Sequence, residues 1–402
     1  MKNTEIGLST AEILLPRPHV AYDRWAVVAC DQFTSDPEYW AEVEHLVGDA
    51  PSALKIVLPE IYLQQRTQRT REIQAWMRTY IGNALEVKVP CGFVLLERQT
   101  LSGIRPGLIA CVDLEKYDFS QGSESLIRAT EGTVPERVPP RAEIRAGAIL
   151  ECPHVMMLID DPEKTVIEPL LESPGRPLYD FDLMQGGGHI RGWAVENGQA
   201  LQVFEALNAL YQKSDGLLYA VGDGNHSLAA AKACWEDIRK NLSPAQMEEH
   251  PARYAMVELV NLHCPALQFE PIHRVLFHVD PEQVLREWAE DSGFGEGKDV
   301  AIALAGRKLY FGAKGHPIHP LQAFLDRFLQ RHPEAEIDYI HDDDQLLRLA
   351  QREDAVGFMP RAFDKSELFP SIRQNGALPR KTFSMGTARD KRYYLESRRI
   401  GQ

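Results

Sequence analysis

The stretch GLLYAVGDGNHSLAAAKA, residues 216–233, decides the reading of this chain. Leu217 to Val221 is an apolar run of strand length. It ends in Gly222-Asp223-Gly224-Asn225-His226-Ser227, and an alanine-rich helical pattern starts at once. Two glycines let the backbone turn sharply and approach a ligand. The first amides of a helix have no partners within it and carry partial positive charge. A phosphate fits such a place. Asn225, His226 and Ser227 each offer it a further hydrogen bond. Ionised Asp223 cannot donate, so it suits taking a proton, holding magnesium, or binding a hydroxyl or amine. The apolar flanks predict a buried strand and helix, so the polar groups at their joint need a reason. A plain turn with Ser227 as helix cap is the alternative.

Outward from this joint, 402 residues exceed one ordinary core and predict two or three domains or subdomains. The expected division is a mixed α/β catalytic region over 1–295 and a smaller C-terminal α/β subdomain over 296–402. Strand-like and helical patterns alternate, with hairpins among them, so the fold class expected is α+β or mixed α/β with a mixed sheet. The net charge of -14 argues against a nucleic-acid partner. No apolar run reaches membrane-spanning length, and MKNTEIGLST has no signal pattern. The six cysteines lie far apart with no C-x-x-C pair, which argues against a cysteine zinc site and fits a reducing, cytoplasmic setting.

Other stretches carry candidate site residues. The segment IRATEGTVPERVPPRAEIRAGA, 127–148, reads as a long ordered loop with a short helix. Its Arg128, Arg137 and Arg141 suit a phosphate or carboxylate, Thr130 and Thr133 add hydroxyls, and Glu131 suits a general base. A surface loop laced with ion pairs is the alternative. Asp31 and Gln32 end an apolar strand, where ligands bind in alternating folds. Cys30 beside them reads as a small buried thiol. Gly186 to His189 reads as a second phosphate loop, with His189 as a binding residue, or as a flexible turn. His273 pairs with Glu270 either in a pocket or structurally. His341 to Asp344 reads as an acidic helix start and not as a metal cluster. The tail is basic. Arg380, Lys381 and Arg392 are candidates to close over a phosphate, with a solvated face expected for most of it.

Asp223-Gly224-Asn225-His226-Ser227 followed by three alanines resembles the "DGHHR…AA" turn of the ParB/sulfiredoxin-like superfamily, with Ser227 where Arg is usual. That superfamily includes partitioning CTPases, sulfiredoxin and free-serine kinases. The resemblance implies a ParB/sulfiredoxin-like core that cradles nucleotide phosphates at this turn. The whole chain resembles a bacterial family, the domain of unknown function 1015 family. The matching stretches are WAVVACDQFTSDPEYW, IRATEGTVPERVPPR, IDDPEKTVIEPL, GDGNHSLAAAKACWE, FEPIHRVLF and LPRKTFSMG. Its relatives resemble serine-biosynthesis proteins in setting, which implies serine or phosphoserine as substrate.

Phosphotransfer or phosphate-ester chemistry on a small hydroxy or amino acid is therefore the leading expectation. Asp223, His226 and Glu131 would be catalytic. Gly224, Asn225 and Ser227 would hold phosphate. Magnesium and an adenine nucleotide would take part if the reaction is a kinase-type transfer. The alternatives are a non-catalytic binding protein and a ParB-like regulator. The expected partner is a small anionic molecule, and a homodimer is compatible with the size.

Overall fold

The structure, a computed structural model, describes residues 1–34, 36–290, 294–313, 315–340 and 343–401. Ser35, within the quoted stretch WAVVACDQFTSDPEYW, and His341 and Asp342 lie outside the described residues. The chain folds as two compact units, Met1–Leu267 with Gly386–Gln402, and Gln268–Met385. The boundary expected after residue 295 falls inside the second unit.

The first unit is built on an 11-stranded mixed sheet. Its main elements are β1 (Leu85–Thr100), β2 (Gly103–Asp113), β3 (Ile127–Ala129), α1 (Val138–Arg145), β4 (Met156–Ile159), β5 (Pro177–Asp182), β6 (His189–Val195), α2 (Asn197–Tyr211), β7 (Tyr219–Asp223), α3 (Asn225–Arg239) and β8 (Tyr254–Asn261). The order across the sheet is β5-β6-β1-β2-β8-β4-β7-β3. β7 runs parallel to β3, and β8 parallel to β4; the other neighbours along this path are antiparallel. The fold class is thus the mixed α/β arrangement expected from the sequence.

Local chemistry accounts for several elements. Asp36 caps the helix Pro37–Val47, accepting from Tyr39 N at 3.0 Å, with Pro37 in the first turn. β1 and β2 form a hairpin that turns at Leu101–Ser102, so the rest of SGIRPG, Gly103 to Gly107, lies within β2 and not in the connection. The 127–148 segment departs from the expected loop. It contains β3, a single 3-10 turn at Pro135–Arg137, and α1, whose prolines at 139 and 140 sit in the first turn where no amide is needed. The helix Arg66–Asn83 buries Ile73, Met77 and Tyr80, but Trp76 stays 41% exposed.

The tail corrects an expectation. Residues 392–398 are buried, not solvated. Tyr393–Tyr394 pairs antiparallel with Val27–Val28, and Arg398–Arg399 pairs with Leu150–Glu151. Arg392 is 2% exposed and ion-paired with Glu258 at 3.2 Å and with Glu396. Arg105 lies 3.6 Å from the same Glu258. These pairs fix the tail across the sheet.

The second unit holds a five-stranded antiparallel sheet of β9 (His273–Phe277), β10 (Phe294–Leu304), β11 (Arg307–Ala313), β12 (Glu336–Ile340) and β13 (Ala355–Pro360), ordered β11-β10-β13-β9-β12. Trp288 and Phe324 pack in its core. Asp343 and Asp344 open the helix Asp343–Leu349, as carboxylates favour a first turn. Among the described residues no helix is long and apolar enough to cross a membrane.

Candidate functional site

β7 delivers its chain into the joint between two other elements. Its apolar residues Tyr219, Ala220 and Val221 are fully buried. Gly224 then adopts φ +81°, a left-handed conformation that glycine enters without strain, and α3 begins at Asn225. A Cβ at Gly224 would lie 3.1 Å from the Val155 backbone, so the position also needs the missing side chain. Asp223 Oδ1 accepts from Gly224 N at 3.0 Å. The Asn225 side-chain oxygen is buried with no hydrogen-bond partner.

The 127–134 segment wraps the same joint. β3 runs beside β7 with Ala129 opposite Val221. The Thr130 hydroxyl donates to Val221 O at 2.7 Å. Val134 N donates to His226 Nε2 at 3.2 Å. Glu131 lies between these two fastenings, at the carboxyl ends of two parallel strands. Such ends are where open α/β sheets bind ligands.

Three elements distant in sequence complete the site. The tail brings Lys391, whose Nζ stands 3.5 Å from Asp223 Oδ2 with both side chains largely covered. His154, just before β4, holds Ser227 Oγ at 3.2 Å through Nε2 and the Tyr394 hydroxyl at 2.7 Å through Nδ1. Tyr394 in turn accepts from Cys30 N at 3.2 Å. Asp31 follows Cys30, and the Gln32 amide donates to it at 3.1 Å. Burial works to raise the Asp31 carboxyl. His154, the Gln32 amide and Lys391 outweigh it and hold the acid below its ordinary range. Burial, with Asp31 adjacent, pushes the Cys30 thiol up to about 12, which leaves it protonated and unsuited to attack.

The expected residues thus divide. Asp223, Gly224, Asn225, His226, Ser227, Thr130 and Glu131 stand at one joint, and Asp31 with Gln32 belongs to the same cluster through His154 and Lys391. Thr133 is half-buried in the wrapping loop. Arg128 is 8% exposed and donates to the carbonyls of Ser125 at 2.8 Å and Gly216 at 3.5 Å, so it braces the backbone. Arg141 pairs with Glu60, and Arg137 is exposed. His189 sits on β6, five strands from β7 and about 24 Å away at ordinary strand spacing. It bonds Asp180 and Asp182, each at 2.7 Å.

His273, Arg380 and Lys381 belong to the second unit. There His273 bonds Asp343 at 2.6 Å in place of Glu270, and the Arg380 carbonyl accepts from Arg274 at 3.3 Å. Arg380 and Lys381 have exposed side chains.

Sequence reasoning missed His154, Lys391 and Tyr394. His154 had a faint signal, an imidazole between Pro153 and an apolar strand. Lys391 and Tyr394 had only the basic, aromatic run DKRYY.

The model of the family described as a protein of unknown function, DUF1015, matches residues 14–399. The chain belongs to the DUF1015 family. A search of curated proteins returned no match. Among solved structures, this DUF1015 chain is similar to a free serine kinase mutant in complex with AMP at 12% identity and TM-score 0.40, covering 71% of this chain and 91% of that one. It is similar to a C-terminally truncated SbnI from Staphylococcus aureus at 12% identity and TM-score 0.36, covering 69% and 82%. A conserved hypothetical protein from Pyrococcus furiosus matches at 13% identity and TM-score 0.35, covering 73% and 94%. At these scores no activity carries over to this chain.

Proposed function

We propose that this joint binds a phosphate group and transfers it to or from the hydroxyl of a small hydroxy or amino acid, with serine or phosphoserine favoured. The observation that carries the reading is Lys391 beside Asp223 at the first turn of α3. A cation, a carboxylate and the first amides of a helix then meet where a buried strand ends. The amides of Asn225 to Ser227 and the Lys391 ammonium would hold the phosphoryl oxygens. Asp31, Asp223 or Glu131 would accept the hydroxyl proton, and the low Asp31 value keeps that acid ionised. Phosphoryl transfer depends chiefly on positioning and charge stabilisation, and these residue types supply both.

An adenine nucleotide as donor or acceptor is part of this proposal, as is the ParB/sulfiredoxin-like character of the turn. Among the described residues no group of three or more His, Cys, Asp or Glu is arranged to hold a metal. Magnesium would therefore arrive with its phosphates and take at most one or two carboxylates here, Asp31 and Asp223, which is its usual habit. A non-catalytic phosphate-binding protein is the second reading, favoured by the ion pair that already engages Asp223.

Phosphorus NMR separates the readings. Purified protein with magnesium is given phosphoserine with and without ADP, and serine with ATP. ATP formed from ADP, or phosphoserine formed from ATP, supports kinase-type transfer. Free phosphate without nucleotide supports a phosphatase. No change in any tube contradicts serine chemistry.

A further inference from the structure

A mostly apolar cavity of the first unit opens on Ser227, His154 and Tyr394 and has a volume of about 160 Å³. Its walls are aliphatic, among them Ile56, Leu58, Met77, Ile144 and Met256. One face of α3 forms a side of it: Ser227, Leu228, Ala230 and Ala231, at positions i, i+1, i+3 and i+4. Alanine there leaves room that leucine would fill. The "SLAAAKA" run is thus a space-making surface as well as a helix former.

The charged residues on the wall cancel. Arg141 pairs with Glu60, and Arg145 pairs with Glu151 at 2.6 Å. Glu151 is further fixed by Arg398 at 2.9 Å and by Met256 N at 2.9 Å. A cationic occupant finds no unmatched carboxylate in the wall, and burying it would be costly. An apolar occupant is favoured by the aliphatic lining.

The polar end is a chain of hydrogen bonds. Cys30 N–H can only donate, so the Tyr394 oxygen accepts it. The Tyr394 hydroxyl also meets the Cys30 side chain and His154 Nδ1, the latter at 2.7 Å. His154 Nε2 reaches Ser227 Oγ at 3.2 Å. The Ser227 hydroxyl lines the cavity, where it can exchange a hydrogen bond with a polar ligand atom.

We propose that this cavity binds an uncharged apolar group of about six to eight non-hydrogen atoms, since a cavity near 150 Å³ holds a benzene ring. The molecule would present a hydrogen-bonding atom, such as a hydroxyl, to Ser227. The cavity itself does not depend on the phosphotransfer reading; only the identification of this group as part of the reacting molecule rests on it. The implied substrate class is then a hydroxy compound extended by an aliphatic or monocyclic group.

The test uses 1-hexanol and hexylammonium as probes, titrated into the full chain by saturation-transfer NMR without nucleotide or metal. Saturable 1-hexanol binding, at least tenfold tighter than hexylammonium, is expected. Ala231→Leu, and separately Ala230→Leu, should weaken 1-hexanol at least tenfold, and Ser227→Ala about threefold. Absent or unsaturable 1-hexanol binding to the unaltered protein overturns the inference, as does equal or tighter binding of hexylammonium. These readouts involve no turnover. Hexanol binding with silent phosphorus spectra would leave the cavity standing and remove serine as the substrate, and phosphoryl transfer without hexanol binding would remove the cavity proposal and leave the transfer reading standing.

Discussion

The 127–141 segment and the 389–398 tail both carry arginines and both reach the joint at Asp223, yet they use their charge differently. In the first, Arg128 is held by two carbonyls and Arg141 by Glu60. Its contribution to the joint is uncharged bracing, through Thr130 and Val134. In the tail, Arg392 is buried between Glu258 and Glu396, and that anchor places Lys391 on one side and Tyr394 on the other. A cation held by carbonyls or between buried carboxylates keeps backbone in place. A cation left at the mouth of a turn, with Asp223 3.5 Å away, can meet a ligand as well. Where the charge is placed, rather than residue type, separates structural from functional charge here.

The contrast can be broken most severely at the tail anchor. Glu258→Ala leaves Arg392 and Arg105 facing an emptied buried site and should cost about 3–5 kcal/mol in denaturant unfolding. A loss under 1 kcal/mol would mean the tail is not fixed this way. Lys391→Ala should act chiefly on binding. Phosphate affinity should fall at least tenfold, while stability falls by about 1–3 kcal/mol, less than at the tail anchor because the pair is largely but not fully covered. If binding is unchanged, the tail supplies no functional charge.

Smaller effects sharpen the bracing side. Gly224→Ala forces a side chain into φ +81° and should cost about 1–2 kcal/mol, with weakened phosphate binding. Thr130→Val removes the bond to Val221 O from a buried position and should cost about 1–2 kcal/mol, read by thermal or chemical unfolding. Acid adds a further arm. The Asp31 carboxyl lies lower in the folded chain than in the unfolded one. Its contribution to stability is therefore present above roughly pH 4 and is lost as pH falls through the folded value. Asp31→Asn should make the acid limb of the stability profile shallower. An unchanged limb would show that Asp31 is not held ionised.

The sequence made the joint legible because its punctuation is local. Gly222, Asp223 and Gly224 interrupt a buried strand, and alanines follow at once. The Asp36-Pro37 helix start is readable for the same reason, whereas the hairpin turns at Leu101–Ser102, ahead of most of the SGIRPG stretch. His154, Lys391 and Tyr394 were not, because they reach the site by pairings of remote segments, such as Tyr394 opposite Val27. Nothing within a few residues of Lys391 encodes that pairing. Arg128 was misread for a related reason: its partners, Ser125 O and Gly216 O, are carbonyls, and carbonyls leave no mark in a sequence. The buried tail escaped because its arginines look solvated until Glu258 and Glu396 are placed beside Arg392.

The central claim is that helix amides and Lys391 together hold a phosphate at the first turn of α3. The most direct measurement is a phosphoserine titration of the isotope-labelled chain, following the amide signals of Gly224 to Ser227, in the unaltered protein and in Lys391→Ala. Saturable shifts of those amides, with affinity at least tenfold weaker in the variant, are expected. Amides that stay still at saturating phosphoserine, or shifts that are identical in the two proteins, would contradict it.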